Sequence, residues 1–164
     1  IQVAKWCGAN VIAAAGSDER IEACLGIGAD HGVNYRKQDL TEEVMKLTDG
    51  AGVNGVCDSV ADTDMFPKVQ YSMGRGAKLV TAGNASGSAN VPLDVRHLYL
   101  HQLHIVGEPR EAPGGLEAAL ERAGQGDVKA LIDEVYPLSK AVEAQKRVES
   151  NKGIGKVVID PTLD

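Results

Sequence analysis

The sequence predicts a doubly wound α/β domain built on a parallel sheet. Short apolar runs bounded by turn residues alternate with stretches of helical period from end to end. The helical stretches are long enough to serve as right-handed crossovers between parallel strands. One Trp, one Phe and four Tyr stand against 19 Gly, so the core is drawn from Val, Ile, Leu and Ala around many tight turns. The 164 residues make one domain of ordinary size.

The elements follow in order. Residues 1–7 read as the tail of an amphipathic helix closed by Gly8. Asn10 to Ala15 is an apolar run of the kind covered on both faces, hence a strand, ended by Gly16-Ser17. Ser17 or Asp18 caps a helix that carries Ile21, Cys24, Leu25 and Ile27 on one side and stops at Gly26 to Gly28. Gly32 to Tyr35 is a minimal strand. Thr41 opens a helix with Leu40, Val44 and Leu47 at core spacing, broken by Asp49 to Gly52. Gly55 to Val60 is the next strand. A helix from Asp62 to Met73 leads through Gly74-Arg75-Gly76 into strand Ala77 to Ala82, and Gly83 to Ser88 is a loop. Helix Val95 to His101 precedes strand Leu103 to Gly107. Loop Glu108 to Gly115, helix Leu116 to Ala123, strand Glu134 to Pro137, helix Ser139 to Ser150 and strand Lys156 to Asp160 complete the chain.

Composition narrows the function. Seventeen basic and 23 acidic side chains give a formal charge of -6 with no Lys/Arg run, which argues against a nucleic-acid partner. No apolar stretch is long enough to span a membrane. Cys7, Cys24 and Cys57 are widely spaced without a Cys-x-x-Cys pair, so reduced thiols in a soluble cytoplasmic protein are expected, with no disulfide framework or structural zinc site. The opening Ile1 to Trp6 is neither a signal peptide nor a methionine start and reads as the middle of a helix. It predicts a segment of a longer protein.

In a doubly wound sheet ligands sit beyond the carboxyl ends of the strands. Those ends are Gly16-Ser17, Tyr35, Ser59-Val60, Gly83-Asn84 and Gly107-Glu108. Four phrases around them carry a family likeness: Gly28-Ala29-Asp30-His31-Gly32-Val33-Asn34-Tyr35, Asp58-Ser59-Val60, Leu79-Val80-Thr81-Ala82-Gly83-Asn84 and Gly155-Lys156-Val157-Val158. In that order they resemble the nucleotide-binding half of the medium-chain dehydrogenase/reductase superfamily, most closely its quinone-reductase-like and zinc-type alcohol dehydrogenase-like members.

The resemblance implies a Rossmann-type domain over residues 1–164 that lacks its first strand and glycine-rich turn. The segment from about 151 to 164 is expected to return toward an N-terminal catalytic domain outside the chain. Losing a central strand leaves the strands at 10–15 and 55–60 with unpaired edges, so poor folding in isolation is expected.

The resemblance also assigns NADP(H) as cofactor. Ala15 stands where an NAD-type site carries an acidic residue, with Ser17, Arg20 and Tyr35 implied around the adenosine 2′-phosphate and Asp18 close by. Each also has a structural alternative: Ser17 as a helix cap, Arg20 as a solvated charge, Tyr35 as strand-end packing. Ser59 and Val60 are implied against the nicotinamide and its ribose, with core packing the alternative for Val60. Asp58 is read as binding loop amides or capping a helix. Gly83 and Asn84 are implied along the ribose, and Val106 and Gly107 near the carboxamide. Lys156 reads as a solvated strand charge.

His97 and His101 at i, i+4, with His104 nearby, lack a further ligand and read as surface or interface residues, and His31 as structural. No catalytic residue or metal ligand is assigned within the chain. The resemblance implies hydride transfer to a small quinone, activated alkene or carbonyl, with a zinc-dependent alcohol dehydrogenase as an alternative. A truncated, non-catalytic nucleotide-binding or oligomerisation module is the other. It further implies a homodimer paired through the edge strand 103–107.

Overall fold

The computed structural model describes residues 1–88, 90–108 and 114–164, so most of the expected loop at 108–115 lies outside the described residues. The chain runs α1 (Gln2–Trp6), β1 (Ile12–Ala15), α2 (Asp18–Gly26), β2 (His31–Asn34), α3 (Leu40–Leu47), β3 (Val53–Asp58), α4 (Met65–Tyr71) and β4 (Met73–Thr81). It continues through α5 (Val95–Leu100), β5 (His104–Gly107), α6 (Gly115–Gln125), β6 (Ile132–Tyr136), α7 (Ala141–Glu149) and β7 (Lys156–Ile159).

Local chemistry sets the helix starts. Ser17 Oγ accepts from the Arg20 amide, Asp39 from that of Glu42 and Asp94 from that of His97, so α2, α3 and α5 each begin on a side-chain cap. The helix expected from Asp62 begins only at Met65, because Asp62 Oδ1 accepts the amides of Asp64 and Met65 and turns the chain first. Strand β4 starts at Met73 rather than Ala77, since Met73 pairs with Val53 of β3, and the register is then irregular until Lys78 pairs with Gly55.

Every strand pair is parallel, as expected of the class, but the strands fall into three sheets: β1-β2, β3-β4-β5 and β6-β7. Among the described residues, β1 pairs only with β2 and β3 only with β4, leaving the facing edges of the first two sheets without a ladder between them. In the strand order 3-2-1-4-5-6, that gap is the place of the first strand.

Two apolar clusters hold the sheets to their helices. Val33, Leu40 and Val44 bury β2 against α3, and Phe66, Met73, Ala77, Leu79 and Leu103 bury β4 beneath α4. Val53 and Val69 pack against both clusters. Helix α6 buries none of its side chains, and its Arg122 guanidinium lies 4.0 Å from the centre of the Trp6 ring of α1.

Candidate dinucleotide site

The carboxyl ends of β1 and β2 are level, with Ala15 paired to Asn34 and the Tyr35 amide donating to the Ala15 carbonyl at 3.1 Å. A pocket of about 320 Å³ opens beyond them, lined by Gly16, Ser17, Asp18 and Glu19 from the first strand end and by Asn34, Arg36 and Lys37 from the second. Ser17 therefore fills both of its readings, capping α2 and lining the pocket.

Gly16 lets the second strand end fold over the first. A Cβ there would lie 2.9 Å from the Tyr35 hydroxyl and 3.1 Å from Arg36 Nε. Asp18 faces the pocket with both oxygens engaged: Oδ1 accepts from Asn34 Nδ2 at 2.6 Å and Oδ2 pairs with the Lys37 ammonium. Lys37 and then Asn34 hold its carboxyl below the usual aspartate range.

The resemblance implies Arg20 as the charge partner of a 2′-phosphate, but it is Arg36, not Arg20, that lines the pocket. Arg20 is not part of the pocket wall; its guanidinium donates to the Asn151 backbone carbonyl and, at 3.0 Å, to Asn151 Oδ1. Arg36 lines the pocket, and among the described residues its guanidinium makes no ion pair. Sequence reasoning missed Arg36 and Lys37, although both directly follow Tyr35 at a strand end.

The second group of candidates lies at the carboxyl edge of β3-β4-β5. Asp58, Thr81 and Gly107 are consecutive register partners there. The Ala82 amide donates to the Asp58 carbonyl and that of Glu108 to the Thr81 carbonyl, both at 3.0 Å. Asp58 binds loop amides, accepting from Val60 at 2.9 Å and Ala61 at 3.3 Å. The loops after β3 and β4 are tied together, because the Ser59 and Val60 carbonyls accept from the Ala85 and Ser86 amides. Asn84 Nδ2 donates to the Ser88 carbonyl within that second loop. Val60 is 46% exposed, so it packs into no core. Among the described residues nothing lies within 4 Å of a Cβ built on Gly107, which leaves the backbone there open to close approach by a flat ring.

The structure thus brings Ser59, Val60, Gly83, Asn84, Val106 and Gly107 to one sheet edge, and Ser17 and Tyr35 to the edge of its neighbour. Lys156, at the start of β7, is exposed. His97 and His101 do not converge on a common point: their rings stack at 3.9 Å, and His101 Nδ1 contacts the His97 carbonyl at 3.1 Å. Among the described residues no group of three His, Cys, Asp or Glu side chains could hold a metal ion.

Parallel strands whose carboxyl edges carry a polar pocket on one sheet and glycine-bearing loops on the next define a dinucleotide-binding unit of Rossmann type. The chain belongs to the zinc-binding dehydrogenase family, whose profile matches residues 1–125, and so to the medium-chain dehydrogenase/reductase superfamily, whose members bind nicotinamide cofactors. It is 34% identical over 161 residues to quinone oxidoreductase-like protein 2 of Bos taurus, covering 92% of this chain and 45% of that protein. It is 30% identical over 167 residues to an alcohol dehydrogenase of Cupriavidus necator, covering 96% and 44%. The crystal structure of an NAD-dependent alcohol dehydrogenase superposes with a TM-score of 0.88 at 33% identity, covering 97% of this chain and 46% of the other. The chain therefore spans under half the length of these relatives.

Proposed function

We propose that this chain is the cofactor-binding part of an NADPH-dependent oxidoreductase of quinone-reductase type. The carrying observation is the pocket beyond β1 and β2, where Ala15 replaces a ribose-binding acid and Arg36 and Lys37 line the wall. Asp18 is a poor acceptor for ribose hydroxyls because Asn34 and Lys37 already occupy its oxygens. Ser17 and Tyr35 supply hydroxyls beside the two cations for a 2′-phosphate.

At the other edge Ser59, Val60, Gly83, Asn84, Val106 and Gly107 form a platform for the nicotinamide and its ribose. Val60 presents an apolar face, and the open backbone at Gly107 offers donors and acceptors to a carboxamide. Bound NADPH supplies a hydride from the nicotinamide C4 to an electron-poor quinone, activated alkene or carbonyl. The residues of this chain bind and orient. Substrate contacts then come from a catalytic domain toward which residues 151–164 return.

Three free cysteines among the described residues support a reducing, cytoplasmic setting, and no described helix is long and apolar enough to cross a membrane. Strand β5 is an exposed edge, which supports a homodimer formed by pairing β5 across a two-fold axis. A second reading, an NAD-dependent alcohol dehydrogenase, is favoured by the likeness to that crystal structure and by Glu19 in the pocket wall.

Fluorescence titration of the complete natural protein with NADPH and NADH separates the two. Tighter binding of NADPH, with reduction of a quinone or activated alkene, is expected. Preference for NADH with alcohol oxidation would select the second reading.

A further inference from the structure

The pocket wall carries two cations, Arg36 and Lys37, and two carboxylates, Asp18 and Glu19. Such a wall has no net charge with which to attract a phosphate dianion. The next nearest cation in sequence is Arg20, on the same helical turn as the pocket residue Ser17, yet its guanidinium is held by Asn151.

Asn151 is itself held in place. The loop after α7 is fixed by Asp133, whose carboxylate takes both prongs of Arg147 at 2.8 and 2.9 Å and the Ile154 amide at 3.2 Å. The Asn151 amide bonds the Val148 carbonyl at 3.1 Å, and its φ of 51° is a left-handed value that Asn tolerates. Its backbone and side-chain oxygens are thus set side by side on one guanidinium.

From these contacts, and resting on the 2′-phosphate reading above, we propose that Asn151 is a specificity-determining latch. Held by Asn151, Arg20 leaves the pocket neutral. Released, Arg20 swings to the pocket beside Ser17, adds the charge that tips it positive and favours the phosphorylated cofactor. The loop after α7 therefore sets how strongly the enzyme discriminates between the two nicotinamide dinucleotides.

The test is a cycle on the complete natural protein, with NADPH and NADH affinities measured for the wild type and for Asn151→Gly, Arg20→Ala and the double variant. Gly keeps the left-handed backbone and removes only the side-chain acceptor. Asn151→Gly is expected to tighten NADPH binding about fivefold, the worth of one ordinary hydrogen bond, and to leave NADH unchanged. The gain should vanish in the Arg20→Ala background.

Asn151→Asp provides the opposite arm: a charged latch weakens NADPH binding, again only when Arg20 is present. Unchanged or weaker NADPH binding in Asn151→Gly overturns the latch. So does an effect of either Asn151 variant that persists without Arg20. The cofactor reading is judged separately, by the wild-type preference and its loss in Arg36→Ala. A wild type indifferent to the phosphate would sink that reading, while Asn151→Gly would still report on the latch.

Discussion

The backbones of Gly52 and Gly74 touch. A Cβ on Gly52 would lie 2.5 Å from the Gly74 nitrogen, and one on Gly74 would lie 2.4 Å from the Ala51 carbonyl oxygen. Neither obstacle is a flexible side chain, so the contact fixes where β3 and β4 begin to run together. Gly74→Ala is expected to destabilise the fold by about 1–3 kcal/mol through overpacking alone. Gly52→Ala adds the strain of a side chain at φ +73°, roughly another 1–2 kcal/mol. Chemical denaturation of both variants measures this, and wild-type midpoints would refute it.

Arg36→Ala should weaken NADPH binding by about tenfold or more, because a charge-assisted hydrogen bond contributes roughly 1.5–3 kcal/mol. NADH binding should change little. A titration in which both cofactors lose affinity equally would show that Arg36 supports the fold rather than reads the phosphate.

Helix α5 should loosen in mild acid. The His97 ring is stacked on His101 and meets the Tyr71 ring edge-on at 4.8 Å, and its Nε2 is buried without a partner among the described residues. Burial first, and the neighbouring His101 second, push His97 below the usual histidine range, with Asp94 opposing them. The folded state thus binds its proton less readily than the unfolded chain. The contribution to stability is complete above the ordinary histidine range, declines as pH falls into it and is gone below the lowered folded value. Hydrogen exchange of the α5 amides at about pH 7.5 and pH 5 reads the change, and His97→Gln should flatten the profile. An unaltered profile in that variant would assign the effect to another group.

Among the described residues strand β5 is the edge of its sheet, with Ile105 and Val106 exposed. Ile105→Lys places a charge where two copies would pair and is expected to shift the complete protein from dimer to monomer in sedimentation analysis. A natural protein that is already monomeric would remove the dimer from the functional reading.

Strand ends were legible in the sequence because turn residues mark them and ligand sites follow strand ends by topology. Hence Ser17, Tyr35, Ser59, Gly83 and Gly107 stand at the edges where the sequence put them. The amide-binding role of Asp58 was equally legible, since a carboxylate at a strand end meets the next amides locally. The direction of Arg20 was not, because it depends on Asn151, 131 residues further along the chain. Arg36 escaped notice for a related reason: only the close crossing of Gly16 by Tyr35 and Arg36 brings it to the pocket. The early start of β4 was hidden because Gly74-Arg75-Gly76 has turn composition, and only the pairing of Met73 with Val53 extends the strand ahead of it.

Val53 and Val69, shared by both apolar clusters, form a greased seam between two slabs whose facing strand edges carry no rungs among the described residues. Backbone ladders lock strands in register, whereas dispersion contacts resist separation but only weakly resist sliding. On the reading proposed above, the adenosine end of the cofactor rests on one slab and the nicotinamide end on the other. On that reading a strand wedged between β1 and β3 would act as the ruler that sets the span between the two ends of a bound dinucleotide.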